Sequence, residues 1–221
     1  MKEERLCFEN YLRRLGLCSE STEVSFDMYY NELVQANQKI NLFSRKMRID
    51  EVWTKHFLDS VSIFEVYKDF SNKSVLDFGT GGGLPGIPIK ILCPECKMTF
   101  LDGTKKKIDE LKRIVSKMKL DNVSFLSNRL EDREMDIYKE YFDIVVCRSV
   151  KMTETLLKAI LKVLKKGGNV FFYKAVKIDD VLTSLPLLDR IYNVETRVYP
   201  LDIKILGQRR IIKLSLLTTK Q

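Results

Sequence analysis

Apolar residues recur at helical spacing through the first third of the chain. In "LCFENYLRRLGL", Leu6, Phe8, Leu12, Leu15 and Leu17 fall near one helical face, and "SFDMYYNELVQANQKINLF" repeats the pattern with Met28, Leu33, Val34 and Ile40. "DEVWTKHFLDSVSIFEVY" adds Val52, His56, Phe57, Ser60, Val61 and Phe64, with Asp50 placed to cap the start of the helix. The polar break "KDFSNK" then divides a helical extension, residues 1–70, from a main domain, residues 71–221.

From residue 74 short apolar runs alternate with helical patterns. "SVLDF", "KMTFLD", "VSFLSN", "FDIVVCRSV" and "NVFFYKA" read as strands. Between them, "LPGIPIKILC", "TKKKIDELKRIVSKMKL" and "TETLLKAILKVLKKG" read as helices, the last ending at Gly167-Gly168, and "RLEDREMDIYKEY" as a loop. On the second helix Ile108, Leu111, Val115 and Met118 share a face. "NVETRVYPL" and "RRIIKLSLLT" form a terminal pair of strands. Alternation of this kind predicts an α/β fold: a doubly wound, mostly parallel sheet wrapped by helices, with the N-terminal helical extension in front. Ligands in such sheets bind at the carboxyl ends of the strands, near the point where strand order reverses.

Composition narrows the partners. The 221 residues, 45% hydrophobic and 31% charged, fit one α/β domain with an appendage, or two small domains. No apolar run approaches the ~20 residues of a membrane span, and the N-terminus "MKEERLCFEN" lacks the apolar core of a signal peptide, so a cytoplasmic protein is expected. Five cysteines, an odd number, then read as reduced thiols. "CPEC" has the spacing of a redox pair or half a zinc site, but no second such pair follows and the single histidine, His56, is far upstream; no metal is expected. A net charge of +8 points to an anionic partner.

"SVLDFGTGGGLPGIP" carries the chemistry. Its glycines sit directly behind the first strand, where a backbone without Cβ atoms lets a nucleotide-like molecule approach. Gly81-Gly82-Gly83-Leu84-Pro85-Gly86 has the G-x-G-x-x-G spacing of dinucleotide sites. However, Asp77 precedes the first glycine, where pyrophosphate needs no acid, and Pro85 and Pro88 interrupt the first helical turn. "DFGTGGG" also fits D-x-G-x-G-x-G, the first motif of S-adenosylmethionine (SAM) methyltransferases, and Asp77 suits a cofactor bearing a sulfonium and an ammonium group. Asp102, ending the next strand, can accept both ribose hydroxyls of either cofactor.

"NLFS", "HFLDS", "DFGTGGGLPGIPIKI", "FLD", "RLED" and "FDIVVCRSV" occur in an order that resembles the RsmG (glucose-inhibited division protein B) family, over about residues 37–215. The resemblance implies a Rossmann-like SAM-dependent methyltransferase fold. It also implies methyl transfer to N7 of a guanine in 16S ribosomal RNA, at position 527 of the usual rRNA numbering, with 16S rRNA or the 30S particle as partner; a monomer is expected. Carried over by motif, Gly79, Leu84, the Asp102-Gly103-Thr104 turn, Leu130, Glu131 and Arg148 line the cofactor site, beside Asp77 and Gly81. Two departures stand out: the family often has alanine or proline where Gly82 lies, and "FFYKA" lacks the glycine that commonly follows the lysine matching Lys174.

Guanine N7 bears a lone pair and no proton, so its methylation requires no general base, and none is assigned. His56, amid apolar spacing, reads as a packed, hydrogen-bonded structural histidine. Arg148, Lys174 and Arg209, at or near strand ends, are the candidate substrate-binding residues; the fork of Arg148 suits guanine O6, a phosphate or a carboxylate. An NAD-dependent oxidoreductase using the 81–86 glycines, and a noncatalytic RNA-binding module, are the competing readings.

Overall fold

Seven strands rich in Val, Ile and Phe pair into one sheet: β1 (Ser74–Phe78), β2 (Lys97–Leu101), β3 (Val123–Leu126), β4 (Phe142–Arg148), β5 (Leu164–Lys174), β6 (Val194–Ile203) and β7 (Gly207–Leu216). The computed structural model describes residues 2–175, 181 and 192–217. Strand order is β3-β2-β1-β4-β5-β7-β6. The first five run parallel, while β7 runs antiparallel to both β5 and β6, as expected of a mostly parallel sheet closed by a terminal strand pair. The chain builds outward from β1 through β2 to β3, then returns to lay β4 on the other side of β1. That reversal opens a crevice at the carboxyl ends of β1 and β4.

Helices α4 (Gly86–Leu92), α5 (Lys105–Met118) and α6 (Glu154–Val163) follow β1, β2 and β4. α5 buries Ile108, Leu111, Ile114 and Val115 and leaves its lysines outward. α6 stops at Val163, short of the glycine pair predicted to end it. Pairing in the β4–β5 ladder jumps from Phe142↔Leu164 to Ile144↔Asn169, so Lys165 to Gly168 bulge out. Asp143 holds the bulge by accepting from Lys165 Nζ at 2.9 Å. At the end of α4, buried Lys90 donates to the carbonyls of Pro94 and Cys96 (2.6 Å), which fixes the CPEC turn. Burial pushes the Cys93 thiol up to about 12 and that of Cys96 to about 11, so neither is poised as a thiolate.

The N-terminal third contains α1 (Lys2–Leu15), α2 (Glu20–Lys39) and a helical segment whose winding changes along its length. It runs as a 3₁₀ turn (Ile49–Glu51), a π-helical stretch (Val52–Leu58), α3 (Asp59–Val61) and a second 3₁₀ turn (Ser62–Glu65). Asp50 lies inside the first turn and pairs with Arg48, so Arg48 occupies the cap position predicted for Asp50. Leu6 and Met28 face outward at 51% and 41% exposure, off the stripe formed by buried Phe8, Leu12, Phe26 and Leu33. Phe8, Phe26, Tyr29, Trp53 and Phe57 pack ring against ring. They join Val75, Phe100, Ile144 and Phe171 of the sheet in a continuous core. No helix of the described residues is long and apolar enough to cross a membrane.

Candidate functional site

The turn after β1 is held from both sides. The Gly79 and Thr80 amides donate to Leu101 O at 2.9 and 3.1 Å, tying the loop to β2. Asp77, fully buried, accepts from Thr80 Oγ1 at 2.6 Å and from the Gly86 amide at 2.9 Å, so one carboxylate oxygen clamps both ends of the glycine run. Its Oδ1 has no hydrogen-bond partner among the described residues. Asp77 therefore shapes the loop from beneath, outside the lining of the crevice. Asp102 stands at the surface of the crevice: Oδ2 accepts from the Gly81 amide at 3.0 Å and Oδ1 from the Thr104 amide at 2.9 Å.

α2 supports the loop from the other side. Tyr29 donates to Gly82 O at 2.9 Å in the interior, a bond contributing about 1 kcal/mol. Asn37 Oδ1 accepts from the Leu42 and Phe43 amides at 2.8 and 3.0 Å, which folds the "NLFS" segment over the glycines. Leu42, Phe43 and Ser44 thus wall the crevice. The "NLFS" motif is legible in the sequence, whereas this role is not.

The crevice is a cavity of about 440 Å³, ample for a nucleoside-sized ligand. Of the residues predicted from sequence, Gly79, Gly81, Leu84, Asp102 and Arg148 line it. Gly81, at φ +55°, has nothing nearer its missing Cβ than Leu42 O at 3.8 Å. Gly103 and Thr104 lie exposed on the adjoining turn. Leu130 and Glu131 do not reach this cavity; they edge a separate one of about 180 Å³ beside Met135 and Lys162. Leu130 is buried in the core beneath α6, because the Arg129 amide bonds Asp132 and closes a turn there, and Glu131 points to solvent.

Arg148, at the end of β4, is no ordinary surface arginine: its side chain is only 10% exposed. Nη1 donates to Asp59 Oδ2 at 3.0 Å and Nη2 lies 3.3 Å from His56 Nδ1. Arg209, from β7, donates to Asp59 Oδ1 at 3.2 Å. A second cavity of about 250 Å³ shares Arg148 and Ser149 with the first and adds Asp59, Lys174 and Arg209. All three predicted substrate-binding residues therefore meet at one wall. Lys174 Nζ donates to Val150 O at 3.3 Å there.

His56 sits in the π-helical stretch, a winding that recurs at functional positions. It is hydrogen-bonded, as expected of a packed histidine, but it also lines the larger cavity. Because Arg148 can only donate, His56 Nδ1 accepts and the neutral ring carries its proton on Nε2. Burial, then the neighbouring Arg148 charge, lowers its pKa to about 3. The unfolded chain takes up that proton near pH 6.5, so the stability gained from a neutral His56 is full above that pH and is lost as pH falls toward 3. Asp77 acts oppositely: burial raises its pKa to about 6, partly offset by its bonds to Thr80 and Gly86. Its contribution is full below about pH 4 and is lost as pH rises through 6. His56 is the only histidine, so its ring signals are unambiguous by NMR. They should stay in the neutral Nε2–H form from pH 8 to pH 5; a titration midpoint near 6.5 would contradict the buried contact with Arg148.

Residues 22–192 match the family described as GidB, rRNA small subunit methyltransferase G. A protein of that name from Lachnoclostridium phytofermentans is 37% identical over 174 residues, covering 77% of this chain and 71% of the relative. One from Staphylococcus aureus is 36% identical over 165 residues, covering 74% and 68%. Among solved structures, a SAM-dependent methyltransferase from Aquifex aeolicus superposes with a TM-score of 0.57 at 13% identity, covering 76% of this chain and 93% of that one. At that identity the likeness concerns the fold.

Proposed function

The chain belongs to the rRNA small subunit methyltransferase G family, and on that premise we propose that it transfers a methyl group from SAM to N7 of a guanine in 16S rRNA. The observation that carries the reading is the 440 Å³ cavity at the β1–β4 reversal, walled by Gly79, Gly81, Asp102 and Arg148. Its chemistry fits the cofactor. The Gly81 α-carbon is open where a side chain would intrude, and the Asp102 carboxylate, beside the Gly81 amide, offers acceptors for ribose hydroxyls. When bound, SAM supplies an electrophilic methyl group on a sulfonium sulfur. The residues then have three tasks: Asp77 and Tyr29 hold the loop, Leu42 and Phe43 cover it against water, and Arg148 orients the acceptor base. Gly103 and Thr104 border the nucleoside side. Leu130 and Glu131 support that side from behind their own turn, with no direct contact required.

The dinucleotide reading fails on the same geometry. Pyrophosphate needs free amides at a helix N-terminus. At the start of α4 the Gly86 amide is taken by Asp77 and the Ile87 amide by Gly83 O at 2.7 Å, while Pro88 has none.

The N-terminal helices, residues 1–70, act as the cover of this site, and residues 71–221 as the methyl-transfer domain. The substrate is 16S rRNA, free or within the 30S particle, met by a monomer in the cytoplasm. Isotope-labelled SAM incubated with 30S subunits lacking the modification should place label in 7-methylguanosine of 16S rRNA, identified by mass spectrometry. Label in another nucleotide or another RNA would overturn the assignment. Transfer should also weaken steeply with salt, as phosphate contacts do.

A further inference from the structure

The "HFLDS" segment closes on the carboxyl ends of three strands. Tyr173 of β5 donates to Ser60 O at 2.8 Å, Arg148 of β4 bonds His56 and Asp59, and Arg209 of β7 bonds Asp59. Asp59 is 8% exposed, and its two oxygens each hold a different guanidinium. Around the 250 Å³ cavity, Arg148, Arg209 and Lys174 stand against this single carboxylate.

Methylation at guanine N7 moves charge. The N7 lone pair forms the new N–C bond as the C–S bond breaks and its electron pair leaves with sulfur. No proton is released, so a neutral purine becomes a cation. The arginines that suit the guanine edge and the RNA phosphates would repel that product at short range in a site largely shielded from water. We propose that Asp59 is a positioning residue for the methyl transfer: it fixes Arg148 and Arg209 and offsets their field where the purine acquires its positive charge. This rests on the reading of guanine N7 as the acceptor. Grip on the RNA and tolerance of a cationic product make opposite demands on the wall. A carboxylate shared between two guanidiniums meets both.

The test measures the methylation rate at saturating SAM and 30S, KM for 30S, and thermal unfolding for wild type, Asp59→Asn, Asp59→Glu and the double variant Asp59→Asn/Arg209→Gln. Asp59→Asn should slow the saturated rate about 10- to 100-fold with 30S affinity unchanged or tighter, and Asp59→Glu should recover most of the loss. The double variant, which removes a positive charge with the negative one, should transfer methyl faster than Asp59→Asn at saturation despite a higher KM. A packing role predicts the reverse, since two bonds are lost instead of one. An Asp59→Asn rate within twofold of wild type, or a double variant slower than the single, overturns the proposal. Wild-type transfer to an atom other than guanine N7 overturns the underlying reading and the charge argument with it.

Discussion

Arg148→Ala should lower kcat/KM for 30S methylation by about 100- to 1,000-fold, mostly through KM. The side chain lines both the 440 Å³ and the 250 Å³ cavity, which on the proposed function puts it between cofactor and base. Its Nη1 is engaged with Asp59 and its Nη2 with His56, which sets the plane of the guanidinium before any substrate arrives. A planar fork held this way presents its remaining N–H bonds in one direction, and truncation removes both the donor and its orientation. Stability should fall as well, by roughly 3 kcal/mol, because Asp59 loses one of its two partners in a largely buried setting. Arg148→Lys separates the two effects. It keeps the charge beside Asp59 and should restore much of the stability, but it has no fork and should leave most of the KM defect. Methylation kinetics with Arg148→Lys decide the matter: wild-type KM in that variant would mean that charge alone is read at this position. The Asp59 variants are expected to show the opposite split, a fall in saturated rate with little change in KM.

How much of this was legible beforehand differs by element. The α/β alternation is plain because each strand is a short apolar run and each helix has one apolar face, and the alternation holds through β1–β5 and α4–α6, though α6 ends and β5 begins earlier than the pattern predicts. Glycine as a stop signal places the end of α6 too late. The chain instead leaves the helix at Leu164, whose side chain is fully buried where it pairs with Phe142. In the candidate site, Gly79, Gly81, Leu84, Asp102 and Arg148 stand where the loop motif and the strand ends place them, around one cavity. Leu130 and Glu131 stand apart from the larger cavity because their placement depends on a turn closed by Asp132, which spacing does not reveal. Asp59 is legible only as part of "HFLDS"; its pairing is not, because only the return of β7 brings Arg209 to it from 150 residues away.

Gly86→Ala tests the loop more severely than any change at the more open Gly81. A Cβ at Gly86 would lie 2.5 Å from Asp77 Oδ2 and 2.6 Å from Phe100 Cε1. Both neighbours are fully buried, so neither can swing into solvent to make room. The same methyl group also intrudes on the bond from the Gly86 amide to Asp77, which clamps the far end of the glycine run. Overpacking and a buried carboxyl deprived of a donor together should cost about 3 kcal/mol or more, a fall in Tm of roughly 6–12 °C for a chain of this size. SAM affinity should fall with it, since the loop cannot keep its path. Gly81→Ala differs in kind. Its Cβ meets only an ordinary contact with Leu42 O at 3.8 Å, but φ is +55°, so the backbone strain is about 1–2 kcal/mol, at a residue that lines the cavity. That variant should fold with a small loss of Tm and bind SAM poorly. Calorimetric titration with SAM and thermal unfolding of both variants separate these outcomes. Gly86→Ala with the Tm of wild type would mean that Asp77 does not clamp the loop from beneath. Then the same carboxylate would have to be reassigned from scaffold to ligand.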